Sequence, residues 1–227
     1  MLRIAIVMGS THTGRLNDAV ARWVYDVART RNDADFELVD IAEYHLPLLD
    51  EAIPPTVGQY GHEHKRKWAQ KIASFDAYVF VTPEYNHGVS AALKNAIDYL
   101  FREWNNKAAG LVSYGSVGGA RAAEQLRLVL ADVMVAAVRA QVTLSLFTDF
   151  EKFTRLKPDS SRTHELHAML DQLVAWSKAL KSVRWEASAK AASASMYSNA
   201  REVKTKVMTS MDASAGSAAR PPAGTIA

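Results

Sequence analysis

The chain has 227 residues, a mass of 25.0 kDa, a formal net charge of +3 and no cysteine. The missing cysteine excludes disulfides, thiolate nucleophiles, cysteine-ligated zinc, iron–sulfur clusters and thiol redox chemistry. Residues 187–227 hold five Lys/Arg and two Asp/Glu, so the whole net charge sits there. Residues 1–186 are then neutral, which speaks against a basic nucleic-acid-binding face.

The length predicts one domain with an extension and is ample for a buried core. No apolar run nears the ~20 residues of a membrane span, so no membrane insertion is expected. The opening run Met1–Met8 is too short for a signal peptide and reads as a strand.

In chain order, Leu2–Val7 is a wholly apolar strand apart from Arg3, as in a sheet buried on both faces. Arg15–Ala28 places Leu16, Ala19, Val20, Trp23, Val24 and Val27 at helical spacing. Phe36–Ile41 alternates as a second strand, and residues 42–60, with Pro47, Pro54, Pro55 and Gly58, read as a loop. Glu63–Ser74 predicts a charged helix and Ala77–Thr82 a third strand closed by Pro83. Helices follow over Val89–Trp104, Ala120–Met134 and Thr163–Leu180, with strands at Ala108–Ser113 and Ala140–Leu146.

Alternating strands and helices specify an α/β fold with a parallel sheet covered on both faces. The reading places this domain in residues 1–185. Residues 186–227, rich in Ala and Ser, read as a basic extension, disordered or partly helical.

Ligands of such sheets bind beyond the carboxyl ends of the strands. Three loops there are unusual. Gly9-Ser10-Thr11-His12-Thr13-Gly14-Arg15 joins hydroxyls, glycines and one Arg ahead of a helix, which suits an anion, although N-capping by Ser10, Thr11 or Thr13 explains it equally. It matches neither Gly-x-Gly-x-x-Gly nor the triphosphate loop with Gly-Lys-Ser/Thr. Thr82-Pro83-Glu84-Tyr85-Asn86-His87-Gly88 ends a buried strand in polar and aromatic groups able to meet a flat heteroaromatic edge. Tyr114-Gly115-Ser116-Val117-Gly118-Gly119 brings backbone close to a ligand, or is a flexible connection. Together they suit a mononucleotide, with phosphate on the first loop and ring between the other two.

Gly9-Ser10-Thr11 with Gly14-Arg15, then Thr82 to Gly88 leading into Ser90-Ala-Ala-Leu-Lys94-Asn95-Ala-Ile-Asp98, resemble the NADPH-dependent FMN reductase family over residues 2–180. The resemblance implies a flavodoxin-like, doubly wound, five-stranded parallel sheet of order 2-1-3-4-5 with helices on both faces. It implies FMN as cofactor and NAD(P)H as co-substrate. Hydride would pass through the flavin to a small acceptor such as a quinone, flavin, azo compound or metal oxyanion.

On the same resemblance, Ser10, Thr11, His12 and Arg15 hold the FMN phosphate. Pro83, Glu84, Tyr85, Asn86 and His87 line the ring, and Tyr114, Gly115, Ser116, Gly118 and Gly119 complete its site. Position 12 departs from the family, where arginine is frequent. No acid–base residue is obligatory, and Tyr85 and His87 are the pocket candidates. The resemblance further implies a cytoplasmic homodimer or homotetramer, with contacts from residues 42–60 and the helix starting at Val89. The alternatives are an electron carrier or flavin-binding regulatory module without turnover, and a relative that has lost flavin.

No metal site is expected. His62 and His64 lie two apart and diverge on a helix. His164 and His167 lack a completing carboxylate. Ser116 lacks the Gly-x-Ser-x-Gly setting of a hydrolase nucleophile. Asp98 and Glu103 read as helix surface charges, and Trp68, Trp104 and Trp176 as core or subunit-contact residues.

Overall fold

The computed structural model describes residues 1–186. The chain divides into a unit Met1–Ser182 and a unit Val183–Ala227, and only residues 183–186 of the second, which are helical, are described. The expected tail conformation therefore lies outside the described residues.

The first unit is built from β1 (Leu2–Met8), α1 (Asn17–Ala28), β2 (Ala34–Asp40), α2 (Glu63–Ala73), β3 (Ala77–Tyr85), β4 (Gly88–Val89), α3 (Ala91–Asp98), β5 (Lys107–Gly115), α4 (Ala120–Asp132) and β6 (Val135–Ser145). A small hairpin of β7 (Phe150–Glu151) and β8 (Arg155–Leu156) follows. Helix α5 then starts at residue 160 and reaches the end of the unit at Ser182.

The main sheet runs β2-β1-β3-β5-β6, all parallel, with β4 antiparallel on β3. It thus has six strands where five are expected, because β3 passes through Pro83 and folds back on itself as β4. Side chains alternate across the sheet. Ile4, Ile6, Val79 and Val81 pack with α1 and with Leu166, Met169, Leu170 and Leu173 of α5. Ala5, Val7, Tyr78 and Phe80 pack with α2, α3 and α4 on the other face. Two fully buried tryptophans organise that second layer: Trp68 donates its indole N–H to Ala96 O (2.8 Å) and Trp104 to Ile97 O (3.1 Å). Trp176 is 47% exposed and belongs to neither core.

Several boundaries differ from expectation. Helix α3 stops at Asp98, and residues 99–106 are turns although Tyr99, Leu100 and Trp104 remain buried. Glu103 is therefore no helix surface charge: it accepts from Tyr60 Oη (2.6 Å), and its Oε2 is buried without a hydrogen-bond partner. Strand β6 begins at Val135, five residues early, because Met134 at φ 59° ends the preceding helix by turning the chain sharply. Residues 42–60 contain two single turns of 3-10 helix, Ile41–Tyr44 and Pro55–Val57. The stretch between them is fastened at Glu51, which pairs with the fully buried ammonium of Lys65.

Candidate functional site

The carboxyl ends of β1, β3 and β5 lie side by side in the sheet, so their three loops meet at one edge. They share a cleft of about 250 Å³ lined by His12, Gly14, Arg15, Leu16, Pro83, Glu84, Tyr85, Tyr114, Gly115 and Leu146.

The first loop leaves β1 at Gly9, whose N–H donates to Val81 O (2.9 Å). A Cβ there would stand 2.8 Å from Leu93 Cδ2 and from Val81 O, so only glycine fits between β3 and α3. Ser90 fixes the same point from the other side: its hydroxyl donates to Gly9 O and caps α3 by accepting from Leu93 N (3.1 Å).

Helix α1 then begins without a side-chain cap. Ser10, Thr11 and Thr13 stand in the loop but none caps it, so the first-turn amides of α1 lack a side-chain acceptor. Such an end carries partial positive charge. Thr11 and His12 are exposed. Ser10 is fully buried, and its hydroxyl is 3.0 Å from Tyr85 Oη, which lays the second loop beside the first.

Arg15 does not stand free. Its Nε donates to Asp18 Oδ1 (2.6 Å), Nη1 to Asp40 Oδ1 (3.0 Å) and to Ser10 O, and Nη2 to Asp40 Oδ2. Hydrogen bonding to Asp40 raises its pKa above the ordinary arginine value. The guanidinium expected to face an anion is thus committed to two carboxylates.

The second loop is a hairpin. Tyr85 pairs with Gly88, leaving Asn86 (φ 48°) and His87 (φ 72°) as a two-residue turn of the I′ kind, which needs positive φ at both positions. Tyr85, Asn86 and His87 are exposed, and Pro83 is buried in the sheet. Glu84 points away from the loop tip. Its Oε2 accepts from Arg121 N (3.1 Å) and Ala122 N (3.4 Å), and Oε1 pairs with the Arg121 side chain. It caps α4, whose own N-cap residue is Gly119. Arg121 Nη1 also lies 3.0 Å from His87 Nδ1, and Gln125 Nε2 donates to His87 O (3.0 Å).

In the third loop Gly118 and Gly119 both have φ +72°, and a Cβ on Gly119 would lie 2.7 Å from Tyr114 N. Gly118 N donates to Gly115 O (3.1 Å), while Ser116 is exposed at the tip. Tyr114 lies almost buried on the cleft floor, and burial pushes its phenol up in pKa.

Three residues of this region were not expected. Asp18 and Asp40 neutralise Arg15, and Asp40 ends β2, a neighbouring strand end left out of the sequence reading. Asn17 is fully buried, donates Nδ2 to Val81 O (3.0 Å) and leaves Oδ1 buried without a partner. The one available signal was position, since Asp40 ends β2 and Asn17 and Asp18 open α1 directly after the first loop.

Known proteins match this arrangement. Residues 2–149 fit the sequence profile of the NADPH-dependent FMN reductase family. The chain is 42% identical over 132 residues to NAD(P)H-dependent FMN reductase ntnL of a Nectria species, covering 56% of this chain and 66% of that protein. It is 42% identical over 127 residues to NAD(P)H-dependent FMN reductase C4B3.06c of Schizosaccharomyces pombe, covering 55% and 64%. The matches thus span about two thirds of those relatives. A quinone reductase of Pseudomonas putida is 32% identical over 196 residues, covering 79% of this chain and 97% of that one. In structure, the flavoenzyme NAD(P)H:(acceptor) oxidoreductase FerB of Paracoccus denitrificans superposes with a TM-score of 0.64 at 22% identity, over 78% of this chain and 98% of FerB. With the profile spanning well over half its length, the chain belongs to the NADPH-dependent FMN reductase family.

Proposed function

We propose that the chain is an FMN-dependent NAD(P)H oxidoreductase acting on a small acceptor such as a quinone or a flavin. The observation that carries this reading is the uncapped N-terminus of α1, open at the mouth of a cleft shared by three loops. Family membership and the quinone reductases among the relatives support it. The residues present fit the cofactor. The bare amides and the Thr11 and Thr13 hydroxyls suit a phosphate. The close packing at Gly9 and Gly119 holds the first loop against β3 and α3 and the third against the end of β5.

When bound, FMN supplies hydride acceptance from NAD(P)H and electron delivery to the acceptor. The chain's own groups bind and orient. Ser10 to Gly14 hold the phosphate end. Pro83, Tyr85 and the Gly115–Gly119 backbone flank the ring, and exposed Tyr85 and His87 border the space where nicotinamide and acceptor alternate. Glu84 acts on that space through α4 and Arg121.

A homodimer or homotetramer belongs to the same reading, supported by exposed Leu48, Ile53 and Val57 on the 42–60 segment. So does a cytoplasmic setting, where NAD(P)H is available; among the described residues no helix is long and apolar enough to cross a membrane. Residues 186–227 are proposed as an extension outside the catalytic domain.

The test is the visible spectrum of protein incubated with FMN and desalted, then treated with NADPH without oxygen. Retained flavin bands that bleach are expected. Bands that persist favour a carrier or regulatory module, and absent bands overturn the flavin reading.

A further inference from the structure

We propose that Phe147 and Phe153 form an aromatic wall at the far end of the cleft and set its preference for flat, two-ring acceptors such as a bicyclic quinone. The inference rests on the flavin reading above and goes beyond it to what selects the acceptor. Strands β1, β3, β5 and β6 lie in that order, so the end of β6 stands about 14 Å from the end of β1, three strand spacings away. With the phosphate on the first loop, the β6 side is the ring end. There Leu146 lines the cleft and donates its N–H to Gly115 O (3.0 Å) in the third loop. Phe147 follows directly, and Phe150 packs on Tyr114 of the cleft floor with ring centroids 6.3 Å apart.

The two side chains are held firmly, and at a cost in stability. Buried Asp149 accepts from Ser145 N (2.8 Å) and from Arg162 Nε (3.0 Å), and its own N–H donates to Ser145 O (2.9 Å). This fixes the loop that carries Phe147. The β7–β8 hairpin turns through Lys152 (φ 49°) and Phe153 (φ 59°), and left-handed backbone at a bulky residue is costly. Burial does not offset that cost, because Phe153 is 56% exposed and Phe147 67%. Their rings meet edge to face, with centroids 5.5 Å apart. An aromatic side chain offers about 200 Å², so the exposed part of the pair is on the order of 250 Å². A stable protein interface needs ~800 Å² from each partner. Glu151, Lys152, Thr154 and Arg155, all exposed, bound the patch with polar surface. The area therefore fits one planar molecule rather than a second chain. Phenyl rings offer neither charge nor hydrogen bond, which selects a neutral ring system over the charged NAD(P)H. Phe153 also lies beyond residue 149, where the family profile ends.

The experiment uses FMN-loaded wild type, Phe147→Leu, Phe153→Leu and Phe153→Tyr. Calorimetry without NAD(P)H measures binding of 2-methyl-1,4-naphthoquinone, and steady-state turnover compares it with 1,4-benzoquinone. Each Leu variant should bind the naphthoquinone about fivefold more weakly, the size of one aromatic pair. Its preference for naphthoquinone over benzoquinone, as the ratio of kcat/KM values, should fall by a similar factor. Phe153→Tyr, which keeps a ring, should match wild type. Unchanged naphthoquinone binding in either Leu variant overturns the proposal. So does an equal loss for both quinones, a change confined to the KM for NADPH, or a changed elution volume, which would make the pair a subunit contact. Failure of wild type to retain FMN overturns the flavin reading itself, and the proposal with it.

Discussion

Glu84 shows how little of a residue's role its neighbours in sequence reveal. It stands in the segment that the family resemblance assigns to the ring, yet its carboxylate is nearly buried against the first turn of α4. Two amides and a guanidinium depend on it. Replacing it by Gln keeps the shape and removes the charge, and should lower stability by about 1–3 kcal/mol. Urea unfolding measures this, and an unchanged midpoint would mean that the cap contributes nothing. Arg15 teaches the same lesson in reverse. A lone Arg after a glycine loop reads as an anion ligand, and nothing nearby in sequence signals Asp40, 25 positions away. Which charges are free is decided by tertiary pairing, whereas glycines carry their meaning locally. Hence the glycine loops were legible and the charge balance was not.

The elements were legible where periodicity and burial agree. Strands β1, β3 and β5 are apolar because both sheet faces are covered, and their loops fall at one edge as a parallel sheet requires. Boundaries failed where a residue adopts a conformation its type does not announce. Met134 turns the chain at φ 59°, a place usually taken by glycine, so the end of α4 and the start of β6 carried no mark. Likewise Tyr99, Leu100 and Trp104 extend a helix-like apolar pattern into turns, because core burial does not require helix. The β3–β4 hairpin has the same character. Asn86 tolerates positive φ, but His87 at 72° is strained there. His87→Gly should relieve that strain and stabilise the fold by about 1 kcal/mol, read as a rise in the unfolding midpoint. A fall would show that the contact with Arg121 matters more than the strain.

Across the whole Met1–Ser182 unit, Arg31 acts as a clasp. It joins Asp33 at the start of the β2 region (Nε to Oδ1, 3.0 Å) to Asp171 on α5 (2.7 Å), 140 residues away. Hydrogen bonding to Arg31 holds the Asp33 carboxyl below its ordinary value of 3.8. A lowered folded-state pKa adds stability that is complete above the unfolded value and is lost as pH falls through the folded one. Asp33→Asn should therefore be less stable than wild type at pH 7, by under ~1 kcal/mol because the pair is partly solvated. The difference should shrink as pH falls from 3.8 through the lower folded-state value. Urea titrations at pH 7 and pH 3 check it, and a gap that widens in acid would reverse the sign. The order of the layers was foreseeable from alternation alone, while this long-range fastening was not, since a run such as Arg31-Asn32-Asp33 reads as an ordinary polar turn.

The bare start of α1 has an evolutionary consequence. A Ser or Asp at its N-cap in place of Leu16 would add about 1 kcal/mol of helix stability. The chain forgoes a gain that one substitution makes available. Selection acting on thermal endurance alone would close this helix end, and with it the seat for an anion. Leu16 thus marks a point where the fittest sequence and the most durable one part company, and where stability-guided engineering of this scaffold should leave the chain as it is.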